Sequence, residues 1–189
     1  MTIDNGSKLN ISDTVMIGNQ NNDGFGGKLT VTGAGSELNV GGILNIGNYS
    51  NANLSILEGG KVSSTFHGDP NAPHFWGWLR DTPEDVTNTV ISVTGKGSLL
   101  QYPKNAEIRV AASDWSSKTN TVNVLVADES KLTAGTLRVG NGTTNIQIGD
   151  NNKAGTFDVE KIKLEENPQK VKFDFAQTCL LYTSPSPRD

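Results

Sequence analysis

The sequence copies itself. GSKLNISDTVMIGN (Gly6–Asn19) returns as GSELNVGGILNIGN (Gly35–Asn48) and, more loosely, as ESKLTAGTLRVGN (Glu129–Asn141). Between these copies stand LTVTGAGS from Leu29, LSILEGGK from Leu54, ISVTGKGS from Ile91 and VNVLVADES from Val122. A degenerate last unit, IQIGDNNKAGTFDVEKIKL, starts at Ile146. Units this short cannot each bury a core of their own, so neighbouring units must stack and share one.

Within each unit apolar and polar residues alternate, the period-two signature of a strand with one buried face. No segment carries the i, i+3, i+4, i+7 stripe of a helix. Equivalent apolar positions fall into columns: Leu9, Leu38, Val62, Leu100, Leu132 and Phe157, then Ile11, Val40, Tyr102, Ala134 and Val159. A third column holds Ile17, Ile46, Val110, Val139 and Leu164. Gly and Asn at the unit ends supply tight-turn conformations that other residues resist. Several short strands per unit fit neither a propeller blade nor a helical repeat. The reading is an all-β, single-stranded parallel β-solenoid of about six coils over residues 1–178. Columns of aliphatic side chains fill such a core without large rings, in keeping with 34% hydrophobic and 6% aromatic residues. Asn19, Asn48 and Asn141 follow strand-ending glycines and are expected to stack as an amide ladder.

The formal net charge of −4 argues against a chain that grips nucleic acid through its phosphates. No apolar run approaches the ~18 residues of a membrane-spanning helix. The opening MTIDNGSKLNISDTVMIGNQ lacks the basic start and apolar stretch of an export signal. A single Cys builds neither a disulfide framework nor a cysteine-based metal site. That Cys opens CLLYTSPSPRD (residues 179–189), which breaks with everything before it and resembles the frame translation of a sequencing adapter. The segment is set apart from the fold, as a fusion scar is, with the natural chain expected to continue differently beyond residue 178.

VTGAGSELNVGGILNIGNYSNANLSILEGGKVSS (Val31–Ser64) resembles the repeat of autotransporter passengers and related sorting-signal surface proteins. That pattern reads tGxGSxLxVxGxLxIG, a spacer, then LxIxxGGxVs. Gly33, Gly35, Ser36, Leu38, Val40, Leu44, Ile46, Gly47, Leu54, Ile56, Gly59, Gly60 and Val62 sit on it. The resemblance implies a right-handed parallel β-helix exported by type V secretion. It implies display on the surface of a Gram-negative-type bacterium, at the outer membrane or secreted, as a stalk or adhesin. It implies membrane attachment only through a C-terminal barrel or anchor that this sequence lacks.

One stretch departs from the pattern. FHGDPNAPHFWGWLRDTPEDV (residues 66–86) holds both His residues, Trp76, Trp78 and three prolines. Prolines oppose continued ladder pairing, so the stretch is expected to leave the solenoid as a loop. Phe75, Trp76 and Trp78 then either form a stacking platform for sugar rings or a protein partner, or fold back over their own coil. Trp115 lies in a loop one coil later and is grouped with them.

Other chemistry is thin. His67 and His74 are seven apart and match no standard ligand spacing, so no metal or cofactor is expected, and Asp69, Asp81, Glu84 and Asp85 read as solvated charge. The outward row Met16, Asn45, Arg109, Arg138 and Lys163 contains no carboxylate, and its two arginines make it a candidate contact for an acidic glycan. The functional expectation is a non-enzymatic passenger fragment that binds a host-cell or matrix protein or glycan and self-associates through open ladder edges. The alternative is a carbohydrate-active β-helix enzyme, a polysaccharide lyase or glycoside hydrolase, which needs carboxylates converging in a groove.

Overall fold

The computed structural model describes residues 1–19, 26–48, 50–66, 73–79, 87–113, 120–150, 153–165 and 170–176, and for Asn19, Trp78, Leu79 and Ser113 the backbone alone. Among the described residues there is no helix; all regular structure is strand. A first pass of the chain comprises β1 (Thr2–Ile3), β2 (Lys8–Ile11) and β3 (Val15–Asn19). A second comprises β4 (Gly27–Thr32), β5 (Glu37–Val40) and β6 (Leu44–Asn48). The third has β7 (Ala52–Leu57), β8 (Lys61–Ser64) and β9 (His74–Leu79), and the fourth β10 (Thr87–Thr94), β11 (Leu99–Gln101) and β12 (Glu107–Ser113). Then come β13 (Asn120–Ala127), β14 (Lys131–Val139), β15 (Thr143–Ile148), β16 (Thr156–Leu164) and β17 (Lys170–Phe175).

Every pairing between these strands is parallel. Parallel neighbours need a crossover, and here strands of the other sheet provide it. One seven-stranded sheet runs β1-β4-β7-β10-β13-β15-β17. In a ten-stranded sheet β2-β5-β8-β11 and β3-β6-β9-β12 form two rows that both end on β14, which also pairs with β16. The core lies between the sheets.

Register reproduces the columns read from sequence. Leu9 pairs with Leu38, Leu38 with Val62, Val62 with Leu100, Leu100 with Leu132 and Leu132 with Phe157. The interior members are fully buried or nearly so, from Leu38 at 1% exposure to Val62, Leu100 and Leu132 at 0%. Burying one such aliphatic contributes about 1.5–3 kcal/mol, and parallel stacking repeats that gain at each pass.

The serine of the recurring Gly-Ser pair also finds its reason. The Gly6 N–H donates to Ser36 Oγ at 3.0 Å, and the Gly59 N–H to Ser98 Oγ at 3.0 Å. Ser98 in turn donates to the Thr94 carbonyl at 2.7 Å, and Ser130 to that of Val93 at 2.6 Å. Turn amides and carbonyls thus find hydroxyl partners, across passes for Gly6, Gly59 and Val93 and within one pass for Thr94.

The expected loop needs correcting. Residues 74–79 form β9, with Ile46 paired to Trp76 on one side and Val110 paired to Trp76 on the other. The row therefore continues through the third pass. Pro73 precedes the strand, where no ladder donor is required of it, so it does not interrupt pairing. Gly77 stands where a left-handed backbone is needed, at φ +66°, as Gly47 does at +76° one pass earlier. A Cβ on Gly47 would collide with the Thr89 side chain, and one on Gly77 would lie 2.6 Å from Val122 Cγ2. Pro70 and Pro83 lie outside the described residues, as do residues 177–189 with their adapter-like tail.

The amide ladder is corrected too. Asn19 and Asn48 are register partners, but Trp78 follows Asn48, so the row ends there. Amide stacking occurs instead on outward faces. Asn39 donates to Asn10 at 2.9 Å, Asn123 to Asn88 at 2.9 Å and Asn145 to Asn123 at 2.9 Å.

Candidate functional site

β9 carries the residues that the sequence singles out, and strand alternation sends them to opposite faces. His74 and Trp76 point inward and are 0% exposed. The Trp76 ring fills the gap in the Ile17 column, between Ile46 and Val110. It is therefore no part of an exposed platform, because a strand in the ladder commits every second side chain to the core. Its indole Nε1–H donates to Tyr102 Oη at 3.0 Å, and the two rings lie 5.9 Å apart. The Tyr102 hydroxyl donates onward to the Leu44 carbonyl at 3.5 Å, a long contact. Burial pushes the Tyr102 phenol well above its usual range.

His74 is the polar member of an otherwise aliphatic column that includes Ile108 and Leu137. The Leu44 N–H donates to His74 Nδ1 at 3.1 Å, so Nδ1 bears no proton and Nε2–H donates to the Phe66 carbonyl at 3.0 Å. Its ring packs edge-on against Tyr102 at 4.8 Å and Phe66 at 5.9 Å. Burial, set against these backbone hydrogen bonds, holds its basicity below the ordinary histidine value. A neutral, fully engaged imidazole is a structural group here, with no lone pair left to offer a metal. Among the described residues no group of three or more His, Cys, Asp or Glu side chains is placed to hold one.

Phe75 points outward and is half-buried, its N–H held by Asn45 Oδ1 at 2.8 Å. Register then places Arg109 beside Phe75, Arg138 beside Arg109 and Lys163 beside Arg138. The row read from sequence thus exists, with neighbours about 4.8 Å apart along the stack. Sequence reasoning missed its counter-charge. Glu107, two residues before Arg109 on the same face, accepts from Arg138 Nε at 2.8 Å and from Arg138 Nη2 at 3.0 Å. Arg109 Nε lies 3.6 Å from it and Lys163 Nζ 3.8 Å. The hydrogen bond from Arg138 is the main cause holding the Glu107 carboxyl below the usual carboxylate range. Period-two spacing from Arg109 was the available signal. The result is three cations around one carboxylate, with Phe75 at the head of the row. The Trp78 side chain and the whole of Trp115 lie outside the described residues.

Shallow grooves lie elsewhere on the described surface. One, of about 410 Å³, is lined by Gln101, Lys104, Lys131, Thr133, Asp158 and Glu160. Its Asp158 is bridged to Lys131 at 3.0 Å. Another, of about 420 Å³, lies on the seven-stranded sheet among Asn123, Asn145, Gln147, Lys170, Lys172 and Asp174.

The fold and this surface define an all-β protein of stacked parallel strands with a mixed-charge outer face. Comparison with protein families, with characterised proteins and with solved structures finds no match to the chain.

Proposed function

We propose that the chain is part of a right-handed parallel β-helix of about six coils. In this reading it is displayed at a bacterial surface or secreted, in the manner of an autotransporter passenger, and serves as a stalk or adhesive surface without catalysis. One observation carries the reading. Parallel register persists from the first pass to the last, and β9 carries it through the third pass with His74 and Trp76 in the core. Such a body is a stiff rod whose outer rows are free to contact a partner.

The contact surface proposed is the row Phe75, Arg109, Arg138 and Lys163. An aromatic edge followed by cations at rung spacing suits a linear acidic glycan, each sugar ring spanning a similar length. The test is binding of the 189-residue chain to immobilised acidic and neutral polysaccharides. Binding should favour the acidic ones, weaken with salt and fall in Phe75→Ala and Arg138→Ala. Equal binding in both variants, or none to any glycan or host-matrix protein at low salt, removes the adhesive role of this row.

A second reading, a carbohydrate-active enzyme, is favoured by the groove that holds Asp158 and Glu160 on one face of β16. Lys131 already occupies Asp158, so the first reading is preferred. Release of reducing ends or unsaturated sugars from an acidic polysaccharide, abolished by Glu160→Gln, would reverse that preference.

A further inference from the structure

The groove of about 420 Å³ on the seven-stranded sheet is built by β10, β13 and β15, which lie inside the stack. Register sets two rows across these strands: Val90, Asn123 and Asn145, and beside them Ser92, Leu125 and Gln147. These side chains point outward, alternating with the buried Ile91, Val124 and Ile146. Backbone groups of the paired strands are spent on the ladder, so a ligand on this face meets side chains alone. The amides are held in a fixed order. Asn145 Nδ2 donates to Asn123 Oδ1 at 2.9 Å, and Asn123 Nδ2 donates to Asn88 Oδ1 at 2.9 Å. An amide has two N–H donors and two acceptor lone pairs. Among the described residues this relay uses one of each on Asn123 and leaves one of each over.

We propose that this groove binds a neutral, β-linked pyranose chain laid along the stack, across the strands. A sugar hydroxyl donates and accepts at once, which is what the spare amide groups of Asn123 require of a partner. Rungs are about 4.8 Å apart, a length similar to one ring of an extended glycan, so successive rings meet Asn123 and Asn145 in turn. Val90 and Leu125, partly exposed between the polar groups, take the C–H faces of those rings. A β-linked chain is straight enough to follow the rows, whereas an α-linked one curls away from them.

Charge in the groove is compensated on the spot. Lys172, the rung partner of Asn145, bridges Asp174, the rung partner of Gln147, at 2.8 Å. Lys170 stands off the two rows, opposite Thr143. The ligand therefore differs from the acidic glycan proposed for the Phe75 row, which lies on the ten-stranded sheet, and the inference does not rest on that reading. A folded protein partner would need a larger apolar centre than Val90 and Leu125 provide.

Isothermal titration of the 189-residue chain with cellohexaose and, in parallel, with maltohexaose tests this. Cellohexaose should bind equally at low and high salt, because neither partner contributes a net charge to the contact. Maltohexaose should bind about tenfold more weakly, and Asn123→Ala and Leu125→Ala should each weaken cellohexaose by about tenfold. Both side chains face outward, so urea midpoints of the variants should stay near the parent's. Should Leu125→Ala fail to fold, Gln147→Ala, exposed on the same row, takes its place. An absence of cellohexaose binding overturns the proposal. So does parent-like affinity in Asn123→Ala, equal affinity for maltohexaose, or binding that disappears at high salt.

Discussion

Trp76 and Tyr102, 26 residues apart in sequence, meet in the core through a 3.0 Å hydrogen bond from the indole N–H to the phenol oxygen. The pair spans adjacent passes of the chain. It makes Trp76, one member of an aromatic cluster that looks like a binding loop, part of the packing.

Removing either partner should therefore cost stability. Tyr102→Phe strands a buried indole donor and is expected to cost about 1–3 kcal/mol. Trp76→Ala leaves a large void and should cost about 3–5 kcal/mol. Urea denaturation measures both. Midpoints equal to the parent's would place Trp76 outside the core, as would strong acrylamide quenching of the fluorescence lost in Trp76→Phe.

His74 makes stability fall in mild acid. Its folded basicity is depressed, so the unfolded chain takes up a proton first. The stabilising contribution is complete above the unfolded value of about 6.5 and declines as pH drops from there toward the lower folded value. A protonated Nδ1 would also confront the Leu44 N–H, donor against donor. His74→Gln should remove this part of the slope between neutral pH and pH 5, whatever it does to absolute stability. Parallel stability profiles for parent and variant would contradict the assignment.

Leu38 and Ile46 lie inside their columns, one level in from the first pass, at 1% and 0% exposure. An Asp at either position buries an unpaired carboxylate among aliphatic side chains, at a cost of several kcal/mol. Circular dichroism at neutral pH should report an unfolded or strongly destabilised chain. Parent-like melting of either variant would refute the register.

Glu107 behaves in the opposite sense to a buried histidine. Its carboxyl is held low by Arg138, so its contribution is complete above the unfolded value of about 4.3 and is lost as pH falls through the folded one. Glu107→Gln should cost less than about 1 kcal/mol at neutral pH, the pairs being partly solvated. The difference from the parent should vanish in stronger acid. The variant should also bind acidic polysaccharide more tightly, since three cations then lack their shared counter-charge. Unchanged binding would argue that the row is not a contact surface.

Much of the fold was legible because parallel stacking sets like against like. Leu9, Leu38, Val62, Leu100, Leu132 and Phe157 were aligned on chemistry alone, and register pairs them in that order. Arg109 and Arg138 were expected as neighbours and are. The third pass was not legible. HFWGWL shows no aliphatic alternation and lies among prolines, so its inward residues, His74 and Trp76, passed for loop residues. Glu107 went unnoticed for another reason: its importance comes from Arg138, which reaches it from the next pass.

Period-two patterning by itself determined that these segments are strands and which face of each is buried. It could do so because alternation is a property of single strands. Which side chain meets which across passes depends on the lengths of the segments between strands. Those lengths vary: Val62 follows Leu38 by 24 residues, and Leu100 follows Val62 by 38. Chemistry alone aligned that column across the unequal gaps, but only the tertiary structure aligned the third pass. It put Trp76 between Ile46 and Val110, gave its N–H to Tyr102 and placed Glu107 beneath the Arg138 guanidinium, because each contact joins groups whose separation in sequence carries no periodic signal.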